Sequence, residues 1–201
     1  MNNSKADIYL KERRNRSILY FRLGMGLRQL IQRPYNNIIV LLLIYLSIKI
    51  WRSKELFFIL VDIPLILLPV YKYILSGIVT LVPILLFIRF IRYLGEMASR
   101  RDEAHLIVAF TVKNLRNGHP ILIKRTKIKG TNVTIREFYS NIPMKAWIET
   151  KEAIADQMNV HFVEPSIEYG GKKKNNGNRV CLYTAPSRKP TDRGDLYDDE
   201  L

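Results

Sequence analysis

Residues 38–48 read IIVLLLIYLSI, and residues 73–91 read YILSGIVTLVPILLFIRFI. The first run carries no charge and the second only Arg89. With Tyr35 and Trp51 at its rims, the first run reaches about 17 residues, or roughly 25 Å as a helix, near the lower limit for a membrane span. Trp51 suits an interfacial belt. The run is too long and too far from Met1 for a signal-peptide core, and no small-residue cleavage site follows, so it reads as a signal anchor.

The apolar stretch 56–91 is too long for one span, and Asp62, Pro64, Pro69 and Lys72 interrupt its first half. Two spans, at about 36–52 and 73–92, make 36–92 the transmembrane region. Residues 54–71 then form an outer hairpin broken by prolines, with Asp62 and Lys72 at headgroup level. Charge sets the number of crossings. Eight Lys/Arg precede the first run, and Arg89, Arg92, Arg100 and Arg101 follow the last. Both flanks prefer the cytoplasm, so a multi-pass protein of the cell membrane with both termini cytoplasmic is expected.

The chain of 201 residues as a whole is strongly basic. Lys plus Arg number 32 against 18 acids, a formal charge of +14. Residues 1–35 hold a net +6, residues 36–91 a net +3 and residues 92–201 a net +5. The N-terminal arm 1–35 mixes cations with Ile8, Leu19, Phe21, Leu27 and Ile31 and reads as a helix on the inner leaflet. Its Lys11, Arg13, Arg14 and Arg16 form a polybasic cluster suited to anionic lipid. The tail 191–201 is acidic, with Asp192, Asp195, Asp198, Asp199 and Glu200.

Residues 96–190 read as a small α+β domain in the order αββαββ. Ser99 can cap a helix whose core face takes Ala104, Ile107, Val108, Thr111, Val112 and Leu115, ended by Asn117-Gly118. Residues 120–128 and 133–136 read as strands around the Gly130 turn. Pro143 opens a helix over 143–158 with Trp147, Ile148, Ile154, Ala155 and Met158 inward. Residues 160–163 and 180–184 are extended, joined by the connection Gly170-Gly171-Lys172-Lys173-Lys174-Asn175-Asn176-Gly177.

No residue set specifies a reaction. Gly170-Gly171-Lys172 lacks the spaced glycine and the hydroxyl of a phosphate-binding loop. His105, His119 and His161 have no metal-ligand spacing among themselves or with Cys181, the single cysteine. Neither catalytic residues nor a metal nor a cofactor is expected. Lys172, Lys173 and Lys174 can reach a phosphate backbone, provided they join Lys124, Arg125 and Lys127 in one patch.

Two apolar runs are thus followed by HPILIKRTKIKGTNVTIREF (119–138) and IPMKAWIETKEAIADQMNVHFVEPSIEYGGKKKNNGNRVCLYTAP (142–186). This pattern resembles the membrane-proximal region and the linker or alpha domain of FtsK/SpoIIIE-type DNA translocases, in the form found in coupling proteins of conjugative elements. The ending RKPTDRGDLYDDE (188–200) is similar to that family's lead-in to the motor domain. The resemblance implies a membrane anchor that engages double-stranded DNA weakly and without sequence preference, a homo-oligomer, and other conjugation or secretion proteins as partners. ATP and Mg belong to the family's motor, whose Walker motifs this chain lacks, so a truncated or motorless relative is implied. The alternative is a structural membrane protein of a secretion or division complex whose cytoplasmic domain binds protein only.

Overall fold

The computed structural model describes residues 3–60, 64, 66–116 and 118–187. Its elements are α1 (Asn3–Gln32), α2 (Asn36–Leu60), α3 (Leu68–Ala109), α4 (Val112–Leu115), β1 (Ile121–Lys127), β2 (Thr134–Tyr139), α5 (Met144–Glu149), α6 (Lys151–Met158), β3 (Val160–Gly170) and β4 (Asn176–Pro186). They fall into two compact units, Met1–Ala98 and Ser99–Leu201.

In the first unit, Pro34 and Tyr35 form the turn between α1 and α2. Asn36–Ser53 of α2 and the helix α3 are each long and apolar enough to cross a membrane. Ile38, Leu41, Leu42, Leu81 and Leu85 all face outward, an arrangement that suits a hydrocarbon surrounding. Of the segment 54–71, expected as an outer hairpin, residues 54–60 are helical in α2 and residues 68–71 in α3. Pro69 falls in the first turn of α3, where a missing N–H breaks no helical bond. Pro83 lies within α3, which continues through it. Asp62 lies outside the described residues.

The arm α1 crosses α3 at two glycines. A Cβ at Gly26 would overlap the carbonyl oxygen of Ile91, and a Cβ at Gly95 would overlap that of Arg22. The pairs 26 with 91 and 22 with 95 make the crossing antiparallel. Arg22, Met25 and Ile91 are buried there.

The second unit is a four-stranded antiparallel sheet in the order β1-β2-β4-β3, with helices on one face. The ββ-helix-ββ succession read from sequence holds. The 143–158 helix is divided at Thr150, whose hydroxyl bonds back to the Ala146 carbonyl (2.6 Å) and whose backbone leaves the helical region. Asn159 ends α6 in the left-handed region. Strands β3 and β4 extend well beyond 160–163 and 180–184. The core gathers Leu106, Phe110, Leu122, Phe138, Trp147, Ile154, Val180 and Leu182. Phe110 meets Trp147 edge-on with centroids 4.8 Å apart, and Phe138 lies 5.9 Å from the same indole. Ile148, expected inward, is exposed.

Two expectations about 99–117 are corrected. Ser99 starts no helix; it lies inside α3 and is fully buried. The buried face is Ser99, Asp102, Glu103, Leu106 and Phe110, whereas Ile107, Val108 and Val112 face out. Both sets have helical spacing. The polar set wins because its carboxylates find partners on the sheet. Asn117 lies outside the described residues.

Candidate functional site

Asp102, 4% exposed at its side chain, receives two arginines from neighbouring strands. Arg125 of β1 donates from Nε (3.0 Å) and Nη2 (2.5 Å) to Asp102 Oδ2. Arg136 of β2, directly across from Arg125, brings Nε within 3.4 Å of the same oxygen, an ion-pair distance without hydrogen-bond geometry. Arg136 Nη1 also donates to the Thr184 hydroxyl of β4. Burial pulls the Arg136 guanidinium down, Asp102 pushes it back up and Arg125 pulls it down again. Glu103 Oε1 accepts the Leu122 backbone N–H (2.7 Å), beside the bulge between Leu122 and Lys124. The two carboxylates thus fasten α3 to β1 and β2.

Alternation along the strands sorts the remaining polar groups. Arg136 and Phe138 of β2 face the helices. Glu137, between them, faces the opposite side, in register with Lys124 and Cys181. Glu137, Cys181 and Tyr183 on that open face are half-buried. Glu137 Oε1 accepts from Arg179 Nη1 and from the Gly171 N–H, each at 3.1 Å. Gly170 has no room for a Cβ against Arg179, and Gly171 adopts φ +90°. These contacts hold the β3–β4 hairpin over the face.

The hairpin tip places its three lysines unequally. Lys174 adopts φ 50°, turns back and donates to Glu168 (2.7 Å), with its Nζ 5.8 Å from the Tyr183 ring centroid. The hydrogen bond to Glu168 raises the Lys174 ammonium above its ordinary range, and the same bond lowers Glu168. By sign, the Glu168 half of this latch is present above the ordinary carboxylate range and is lost as pH falls through it. The Lys174 half is lost as pH rises through the lysine range. Lys172 and Lys173 are exposed.

The six lysines and arginines expected to form one patch are therefore divided. The hairpin tip sits at the end of the sheet where Tyr139 pairs with Arg179. Lys127 sits at the other end, paired with Thr134. Along the strands that separation is about 20 Å, and β1 is two strands from β4, about 10 Å more. Lys124 belongs to the open face, opposite Glu137, while Arg125 turns to the helix side and is tied to Asp102. Lys172 and Lys173 remain as the free cations of the tip.

On α1, Lys11, Arg13 and Arg16 are exposed and Arg14 half-buried. Arg16 lies 3.5 Å from Glu12, one helical turn back. Cys181 is half-buried on the open face; burial, then the Glu137 and Glu168 carboxylates, push its thiol up to about 11. No group of three His, Cys, Asp or Glu among the described residues could hold a metal ion. Sequence reasoning missed Asp102, Glu103 and Glu137. Asp102 and Glu103 gave no periodic signal, because a carboxylate on a core face reads as the solvent side.

No family model matches this chain, and no curated protein matches it. Among solved structures it is similar to the pCW3 conjugation coupling protein TcpA, in a monomer form with ATPγS, at 22% identity and a TM-score of 0.36. That match covers 50% of this chain and 29% of that one, so the chain spans under a third of the length of the protein it matches.

Proposed function

We propose that this chain is the membrane-anchoring, DNA-engaging N-terminal portion of an FtsK/SpoIIIE-like coupling protein that serves conjugative DNA transfer. The observation that carries the reading is the order along the chain: helices long and apolar enough to cross a membrane come first, and the basic sheet domain, seated on Asp102, Glu103, Leu106 and Phe110, follows. In this reading both termini are cytoplasmic and copies of the chain associate. The ATP-driven step belongs to a motor outside these residues. Lys172 and Lys173 grip duplex phosphates without reading bases.

Full chain in detergent micelles, titrated with fluorescent duplex DNA at several salt concentrations, tests this. The Lys172→Ala/Lys173→Ala variant should lower the log K against log salt slope by about 2, since each phosphate contact contributes roughly 0.9. Lys174→Ala should lower it less, because Glu168 already neutralises that ammonium. No DNA binding by the full chain at low salt would favour the second reading, a structural protein of a secretion or division complex. That reading is supported by exposed Ile107, Val108 and Val112.

A further inference from the structure

We propose that copies of this chain join head to tail through the two edges of the sheet, β1 of one copy lying beside β3 of the next. The inference names the surface behind the association of copies proposed above; it rests on that reading and on nothing about DNA. In the order β1-β2-β4-β3 the outer sides of β1 and β3 pair with no strand among the described residues. Unpaired edges of this kind accept a further strand.

The two edges carry opposite charge. Residues 121–129 hold Lys124, Arg125, Lys127 and Lys129 and no acid, whereas residues 160–170 hold Glu164 and Glu168 and no Lys or Arg. Arg125 is tied to Asp102, and Glu103 takes the Leu122 N–H, so the open part of the β1 edge begins at Lys124. Lys124, Lys127 and Glu164 are all exposed, and among the described residues none of the three makes an ion pair.

Register sets these charges at matching levels. Lys124, Glu137, Cys181 and Glu168 form one row across the sheet, and Lys127, Thr134, Thr184 and Phe162 another. Glu164 lies between those rows, in the irregular stretch of β3 from Phe162 to Ile167. Every neighbouring pair in the sheet is antiparallel, so β1 and β3 run in opposite directions. A second copy set edge to edge without stagger therefore brings its Lys127 beside Glu164 and its Lys124 beside Glu168. Glu168 already accepts from Lys174 (2.7 Å), which makes Lys127 with Glu164 the pair that selects the partner. Pro165 has no N–H to donate, so backbone pairing along this edge stays short and side-chain charge decides.

The same charges exclude the other pairings. Joining β1 to β1 would oppose lysines, and joining β3 to β3 would oppose glutamates. Only unlike edges meet, and a contact of that kind repeats from copy to copy until a ring closes.

Full chain in detergent micelles, labelled in separate batches with donor and acceptor dyes, is mixed, and energy transfer is followed against protein concentration. The native chain should associate. Lys127→Glu alone and Glu164→Lys alone should each raise the association midpoint about tenfold, because an unlike cross-strand pair becomes a like one. An equimolar mixture of the two variants should return to the native midpoint, since alternating copies then meet only through unlike pairs. Restoration by mixing cannot come from folding, and the thermal unfolding midpoint of each variant should match the native chain. A native chain that stays monomeric would overturn the association and this interface together. Association that neither variant weakens, or that mixing does not restore, would overturn the interface and leave the association standing. Weakening by Lys127→Glu but not by Glu164→Lys would assign the β1 edge to the chain's own acidic residues 191–201 and would overturn the interface as well.

Discussion

Asp102 ties α3 to both β1 and β2 through a single carboxylate oxygen. Its carboxylate faces two guanidiniums, so removing its charge leaves Arg136, 13% exposed, with an uncompensated cation against Arg125. Asp102→Asn should therefore cost about 3 kcal/mol, the range for breaking a buried ion pair. Thermal unfolding of the full-length chain carrying Trp51→Phe, in detergent and followed through Trp147 fluorescence, measures it. A cost below about 1 kcal/mol would mean that the node is solvated like a surface pair. Cys181 behaves in the opposite way to a reactive thiol. With its thiol pushed up to about 11, almost none is thiolate at pH 8. Iodoacetamide should label it far more slowly in the folded chain than after denaturation, and equal rates would refute its placement beside Glu137 and Glu168.

Elements meet in two ways. The sheet is joined to its helices by aromatic packing around Trp147 and by carboxylates from α3, whereas α1 and α3 meet backbone to backbone. Close approach of that kind depends on the absence of a Cβ, as at other small-residue helix crossings. Gly95→Leu should push α1 off α3, at a cost of about 1–3 kcal/mol from overpacking. Trypsin reads the result. Arg22 is 7% exposed and should resist cleavage in the native chain, then be cut about tenfold or more faster in the variant. Unchanged cleavage at Arg22 would rule out the crossing.

At the scale of the molecule, the arrangement of charge around the apolar helices predicts the topology. Lys and Arg flank the outer margins of both runs, which calls for an even number of crossings. Reporters fused after Arg33 and after Arg101 should both report cytoplasm. An external report from the later fusion would mean an odd number of crossings and a different assignment of the Asp62 to Lys72 segment.

The apolar runs, the two hairpins and the succession of helices and strands along the chain were legible in the sequence. Each depends on local signals: uninterrupted hydrophobic length, period-two alternation, and the Gly130 and Gly170-Gly171 turns. Three things were decided by tertiary structure alone. The face of α3 that is buried was one, because Ala104, Ile107 and Val108 have the same i, i+3, i+4 spacing as Ser99, Asp102 and Glu103. Only Arg125, Arg136 and the Leu122 N–H, brought over by the sheet, make burial of carboxylates favourable. The division of the cationic patch was another, since strand order and register place Lys127 and Lys172 at opposite ends. The third was the pairing of Lys174 with Glu168 and of Arg179 with Glu137, which cancels charge that composition counts as free. Length and periodicity are properties of a segment, and a run of residues carries them by itself. A partner for a buried charge comes from another segment, and only the folded chain brings it there.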